Sequence, residues 1–511
     1  MTPPDHSSRQ PGLQQAMLQL AQGKALLKAG NGAAAVVAFQ QVIRLAPLSP
    51  AGYRALLEML VPAGDIVNGR KVIQILPVEV YEAAPPLRYL HARLLLQEGQ
   101  PTQALPLLEA LAGNPEVDAG GQAFNLGQCL AQLGRHQEAV ESFRRASELG
   151  LRADWLSLEW ARSAQFTGDM ETAGRLYREL TRSRPDTPQL KYEQAILLLK
   201  TGQFKTGFQL YQYRWQSGLP HFQHCSARSV GLPAWDGRKA PPSLLVMREQ
   251  GVGEQIVFSA LLPALAQKVG HLAVAFEPRL VPLLKRTWPG IESVSPEEPA
   301  ESLRTRFDTC ISAADMGALV PEAIGWTGGR LLPDRERAAR LREKYRQLFP
   351  GKKLVGLSWM SRQSALSTAK SVDLAAWQGV LQSKDCQFIN LQYGAMEAEQ
   401  GQARTQWGVD IFRDPEIDVY QDLDGLAAQM AALDVVVSTS STTAHLAAAT
   451  GAPTWVVLPS GWGLLWYWGH EGDRCAWYPE ARLFRATVGG DWAPALAGVE
   501  AALAELPLRE D

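Results

Sequence analysis

Apolar residues recur at helical spacing through the first 215 positions, and glycine interrupts them at regular intervals. Six glycines, Gly30, Gly64, Gly99, Gly134, Gly168 and Gly202, stand 34, 35, 35, 34 and 34 residues apart. Five positions after each comes a small residue: Ala35, Gly69, Ala104, Ala139, Ala173 and Gly207. Four positions further on comes a large one: Phe39, Ile73, Leu108, Phe143, Tyr177 and Tyr211. Pro47 and Pro185 follow eight positions later in their units. The pattern predicts antiparallel helix pairs. Glycine makes the turn, the small residue lets the helices approach, the large residue fills the gap to the next pair, and proline ends the second helix. No pair buries its apolar face alone, so neighbours must stack. The second unit, around Gly64, is the most degenerate.

After residue 215 the pattern changes. Residues 216–243 are rich in glycine and proline and read as a linker. Beyond it, short apolar runs alternate with helical stretches. Strands are predicted at Leu244–Met247, His271–Phe276, Asp308–Ile311, Lys353–Trp359, Gln387–Leu391, Asp434–Ser438 and Thr454–Leu458. The intervening helices include Glu254–Lys268, Pro278–Thr287, Arg335–Leu348, Asp424–Leu433 and Thr442–Ala449. Strands alternating with helices argue for parallel sheets, and the pattern restarts near residue 335. The expected architecture is α plus α/β. Residues 1–12 are a disordered N-terminus, 13–215 a superhelix of six repeats, 216–243 a linker, 244–334 a first lobe, 335–490 a second lobe and 491–511 a C-terminal helix.

Composition narrows the field only a little. The 511 residues are 46 % apolar and 20 % charged, with a net charge of −2, so nucleic acid is not an expected partner. No apolar run is long enough to span a bilayer, and the polar start has no signal pattern. Five scattered cysteines, Cys129, Cys225, Cys310, Cys386 and Cys475, suggest neither disulfides nor zinc. A reducing cytoplasm is the expected compartment. The eight histidines show no metal-binding spacing.

Three stretches carry candidate chemistry. In the first, Gly251 and Gly253 follow a strand and open a helix, so backbone can approach a ligand there. Glu254 would lie at the cleft floor and could accept a proton from a hydroxyl; alternatively it only complements the helix dipole. In the second, a buried strand ends in hydroxyls. The helix tip at Ser440, Ser441, Thr442 and Thr443 could cradle a phosphate, although N-capping alone accounts for one of these hydroxyls. His445 would fall in the first turn, where a lone histidine is more often structural than functional. The third is aromatic: Trp462, Trp466, Trp468, Trp477 and Tyr478 either stack on a ligand or pack the lobes together.

The first region resembles the tetratricopeptide repeat, whose concave face holds peptide or protein segments. The rest carries Tyr211-Gln-Tyr-Arg-Trp215, Pro233-Ala-Trp-Asp-Gly237, Glu249-Gln-Gly-Val-Gly253, Lys370-Ser371, Leu391-Gln392, Ala444-His-Leu446, Gly451-Ala-Pro453 and Arg482-Leu-Phe-Arg485. With the repeats, these motifs resemble bacterial tetratricopeptide proteins bearing a region like glycosyltransferase family 9. The resemblance implies the GT-B fold of heptosyltransferases, two Rossmann-like lobes around a cleft. It places Glu254 where those enzymes carry a catalytic aspartate, and Ser440 where they carry a donor-contacting aspartate. The second departure argues against ADP-heptose as donor. Gln392, Tyr393 and the Trp466–Trp468 loop would contact the base and ribose.

The aromatic tail, residues 466–479, looks more like a subgroup linked to flagellin glycosylation. That implies a CMP-nonulosonic acid as donor and flagellin held by the repeats. The expected activity is inverting, metal-independent protein O-glycosylation, with a nucleotide sugar as substrate and no cofactor. Two rival readings remain: a non-catalytic adaptor with a decayed transferase region, and a transferase acting on a glycan or lipid precursor.

Overall fold

The computed structural model describes residues 9–219, 222, 226–325, 330–361, 367–394 and 396–508, and all statements of structure concern these. Cys225 and most of the expected N-terminal tail lie outside the described residues, as does the side chain of Trp462. The first helix begins at Arg9, within the stretch 1–12. The chain forms two compact units, Met1–Thr167 and Gly168–Asp511.

The first unit is helical hairpins. All six repeat glycines adopt positive φ, between 70° and 86°, and a Cβ at any of them would meet no neighbour within 4 Å. Left-handed backbone, not crowding, therefore demands glycine at these turns. The small and large positions behave differently. Ala35, Ala104 and Ala139 are fully buried, and Phe39, Leu108 and Phe143 pack against the neighbouring helix. A Cβ on Gly127 would sit 2.6 Å from the Phe143 ring, so this glycine is required for close approach. Ile73 of the degenerate second repeat stays half-buried.

The second unit opens with the last hairpins, Met170–Ser183, Pro188–Lys200 and Phe204–Tyr211. It therefore parts from the first unit well before residue 216, where the composition changes. The physical reason is shared core. Ala195, Leu199, Phe208 and Tyr211 are buried in the same apolar cluster as Phe258 and Trp466 of the lobes.

Nine strands follow, all in parallel ladders: β1 Ser243–Met247, β2 His271–Ala275, β3 Glu292–Ser293, β4 Thr309–Ser312, β5 Lys353–Ser358, β6 Cys386–Asn390, β7 Val435–Thr439, β8 Thr454–Leu458 and β9 Arg482–Arg485. They make two sheets, ordered β3-β2-β1-β4 and β6-β5-β7-β8-β9. Chain order reverses at β1 in the first sheet and at β5 in the second. In open α/β sheets, such reversals leave a crevice beyond the strands' carboxyl ends. The helix predicted at 254–268 is interrupted: it runs Val252–Ser259 and resumes at Leu262–Ala266. Pro263 has no N–H to offer the preceding turn, which explains the break. β9 and the helices Ala300–Arg306 and Glu397–Trp407 were not anticipated. The closing helix Ala493–Glu505 buries Leu496, Val499 and Leu503 against the second sheet's core.

One ionic group joins the last repeat to the first lobe. Arg214 is fully buried and grips Glu249 through two bonds of 2.7 and 2.8 Å. It also reaches Asp315 at 2.7 Å. Burial pushes the Glu249 carboxyl above its usual range, and the guanidinium opposes that shift. Removing one partner from such a group strands the others without water. Arg214→Ala is expected to destabilise this unit by about 3–5 kcal/mol, read from urea unfolding. Arg214→Met with Glu249→Leu should recover most of that loss; no recovery would show that the ion pair is not the source.

Candidate functional site

The crevice is built from two strand ends. Beyond β1 the chain runs Arg248-Glu-Gln-Gly251 into the helix Val252–Ser259. Gln250 has φ 59°, an unusual value for a residue with a side chain. Its amide donates to the Tyr211 hydroxyl at 3.0 Å, and its neighbour Glu249 is held by Arg214. Two flanking anchors thus fix a strained turn. Glu254 then projects from the first helical turn and is half-buried. The Tyr467 hydroxyl donates to Glu254 Oε1 at 3.4 Å. Burial, and then the Glu254 charge, raise the Tyr467 phenol well above its usual range, so it stays a neutral donor.

Beyond β7 the hydroxyl run turns into the helix Thr442–Thr450. Ser438 and Ser441 share a hydrogen bond of 3.0 Å. Ser440 is buried and accepts from Trp468 Nε1 at 2.9 Å. Thr443 is buried, whereas Thr442 is half-exposed at the tip. His445 is buried, stacked on Trp468 with ring centroids 4.8 Å apart, and bonded to the Tyr478 hydroxyl at 3.1 Å. Burial, and secondarily Lys370, pull its imidazole down to about 3. A Cβ on Gly253 would lie 2.8 Å from His445 Cδ2. Gly253 therefore admits the histidine, and the two strand ends meet in one crevice.

Several of the expected donor-contact residues are enclosed by packing. Trp466 and Trp468 are buried, and their rings pack on Phe208, Phe258, His445 and Tyr478. Trp477 is likewise interior. Gln392 is buried, and its Oε1 accepts from the N–H groups of Trp359 and Met360 at 3.1 and 2.9 Å, while its Nε2 donates to Tyr393 O. It knots the loop after β5 instead of facing a ligand. The Ser440 hydroxyl is turned toward Trp468 and His445 toward Tyr478, so both shape the crevice from within. Gly251 and Tyr393 retain accessible surface.

One residue went unassigned in the sequence. Lys370, in the short helix Ser367–Lys370 after β5, is only 8 % exposed. No described residue gives its ammonium a hydrogen bond or ion pair. Burial pulls its pKa down, and the Glu254 charge works the other way, which puts the two within electrostatic reach. The clue was the Lys370-Ser371 pair already quoted as a motif; its burial arises only in the fold. Among the described residues, no group of His, Cys, Asp and Glu is placed to hold a metal, and no helix is long and apolar enough to cross a membrane.

The first unit has its own groove of about 610 Å³. Tyr89, Arg93, Asp118, Asn125, Gln128 and Trp155 line it, carried by the opening helices of successive hairpins or their caps. Asn125 donates to the Tyr89 hydroxyl at 2.6 Å, and Trp155 is half-exposed over Phe124.

Comparison with known proteins gives the following. A tetratricopeptide repeat family model matches residues 20–73, 89–150 and 158–214. Protein FlbA of Caulobacter vibrioides is 29 % identical over 431 residues, covering 79 % of this chain and 70 % of that protein. The crystal structure of a family 9 glycosyl transferase from Veillonella parvula aligns over 53 % of this chain and 97 % of its own, with 13 % identity and a TM-score of 0.38. Heptosyltransferase WaaC of E. coli with ADP aligns over 52 % and 98 %, with 14 % identity and a TM-score of 0.32.

The buried histidine has a measurable consequence. Its imidazole ordinarily titrates near 6.5 and is held near 3 in the fold. Below the ordinary value the unfolded chain binds a proton that the folded chain refuses. Stability is therefore intact above that pH and is lost as pH falls toward the folded value, by up to ~1.4 kcal/mol per pH unit. Urea midpoints measured from neutral pH downward should fall less steeply for His445→Gln than for the natural chain. Equal slopes would mean that the imidazole is charged in the fold.

Proposed function

We propose that this protein is a glycosyltransferase that moves a sugar from a nucleotide donor to a Ser or Thr hydroxyl of a protein held by its repeats. What supports the reading is that Glu254 and the largely buried Lys370 face one crevice within electrostatic reach, Lys370 having no hydrogen bond or ion pair among the described residues. Both lie at reversal points of two parallel sheets, where nucleotides bind in such folds. A lysine without an ion pair among the described residues, beside the tip of the helix Thr442–Thr450, suits a phosphate.

In the reaction, the acceptor oxygen attacks the anomeric carbon on the face opposite the nucleotide. Glu254 takes the hydroxyl proton as the new bond forms. The bond from anomeric carbon to phosphate oxygen breaks, and the nucleotide leaves with the electron pair. Lys370 and the N–H groups at Thr442–Thr443 offset the charge on the leaving phosphate. Attack from the opposite face inverts the anomeric centre. The neutral phenol of Tyr467 holds Glu254 in position. We take the donor to be a CMP-nonulosonic acid and the acceptor flagellin, on the resemblance of the aromatic tail. The first unit's groove, with paired amide, phenol and exposed tryptophan, suits a protein segment.

The variants separate binding from chemistry. Glu254→Gln is expected to lower turnover at least ~100-fold while donor affinity stays within about twofold. Lys370→Met should weaken donor binding by about 10–100-fold, the value of a charge-assisted bond. Nucleotide release and calorimetric titration read the two effects. The reading fails if neither CMP, UDP, GDP nor ADP shifts the melting temperature of the natural protein. Full turnover by Glu254→Gln would move the base elsewhere.

A further inference from the structure

A second groove, of about 510 Å³, lies in the second unit away from Lys370 and the helix tip. One wall is the last repeat helix and its continuation, which present Gln209, Gln212 and Gln216. The facing wall is the linker around Trp235 and Asp236, and the end is closed by Asp315. All three glutamines are exposed, and none has a hydrogen-bond partner among the described residues. The charge is close to balanced. Arg214 serves both Glu249 and Asp315, and Asp236 lies 3.5 Å from Arg238, so that with Arg228 the cations and carboxylates at the groove match in number.

We propose that this groove binds a short, extended, uncharged polar segment of the acceptor polypeptide. The inference rests on the protein-acceptor reading above and names the chemistry that the acceptor presents. Each glutamine offers one carbonyl acceptor and two amide donors, the complement of a backbone N–H and C=O. Gln209 and Gln212 are separated by roughly 4–5 Å along the axis, and Gln212 and Gln216, at the ends of a 3-10 stretch, by roughly 8 Å, so the three amides span about 12–13 Å, close to two repeats of an extended chain. Same-facing backbone groups of an extended chain repeat at about 6.6–6.8 Å, so a ladder of amides can follow one edge of a strand. The volume is that of a small-ligand site, which suits a few extended residues better than a folded surface. Balanced charge offers acidic or basic segments no compensation for lost hydration, whereas Ser, Thr, Asn and Gly need none. The groove also adjoins the machinery. Asp315 at its end shares Arg214 with Glu249, in the loop that leads to Glu254.

The test is fluorescence anisotropy with labelled short peptides of random sequence. One pool contains Ser, Thr, Asn, Gln and Gly, a second adds Asp and Glu, and a third adds Lys and Arg. The full-length protein should prefer the uncharged pool. Replacing Gln209, Gln212 and Gln216 together by Ala should weaken that binding at least ~10-fold, the loss expected from about three hydrogen bonds, with an unchanged melting temperature. Equal binding by the natural and triple-substituted proteins overturns the inference. So does preference for a charged pool, or no binding by the natural protein. Nucleotide release from CMP-sugar, measured in parallel, tests the transferase reading independently. Its failure with peptide binding intact sinks that reading and leaves the groove standing.

Discussion

The buried cation Arg214 holds the second unit in register. A guanidinium without water must be satisfied on nearly every N–H, and here the partners come from three places in the chain: Glu249 after β1, Asp315 after β4 and the carbonyl of Tyr211 in the last repeat. An apolar contact at that point would tolerate sliding. A bidentate fork does not. The last helical repeat is therefore fixed to the loop that carries Glu254, and from Gly168 onward the closing repeats and the sheets belong to one compact unit.

That fixation explains how a strained loop can sit at the crevice. Gln250 keeps its left-handed backbone because both flanks are tied down, one by Arg214 and one by the helix that follows. On the opposite side, Asn390, Gln392 and Ser358 knot the loop beyond β5 in the same manner, with buried amides instead of ions. Lys370 emerges from that side. The crevice is therefore flanked by two loops tied by buried polar networks, each at a reversal of strand order.

How much of this was legible in the sequence depended on whether a local rule was at work. The six turn glycines were readable because left-handed backbone is a local demand that only glycine meets freely. The strands were readable as apolar runs, and the meeting of Glu254 with the hydroxyl-rich helix followed from their places after strands. The tryptophans were not. A Trp-Tyr-Trp loop has the same pattern whether its rings face a ligand or a core, and the partners that bury Trp466 come from Phe208 and Phe258, remote in sequence. The burial of Gln392 was hidden for the same reason, since its three donors, Ser358, Trp359 and Met360, lie at and just beyond the end of β5. Lys370 did not stand out because an exposed lysine and a desolvated one are spelled alike. β9 was missed because Arg482–Arg485 is a four-residue run flanked by charge.

The contact between Gly253 and His445 ties two distant positions into one inherited trait. A methyl group at 253 would strike the imidazole edge, and a smaller residue at 445 would leave a hole against Trp468. Among homologues that keep this crevice, the two sites should vary together: glycine opposite a ring, or a side chain opposite something smaller. Divergence of this crevice would then leave its trace as a paired substitution rather than as scattered single changes.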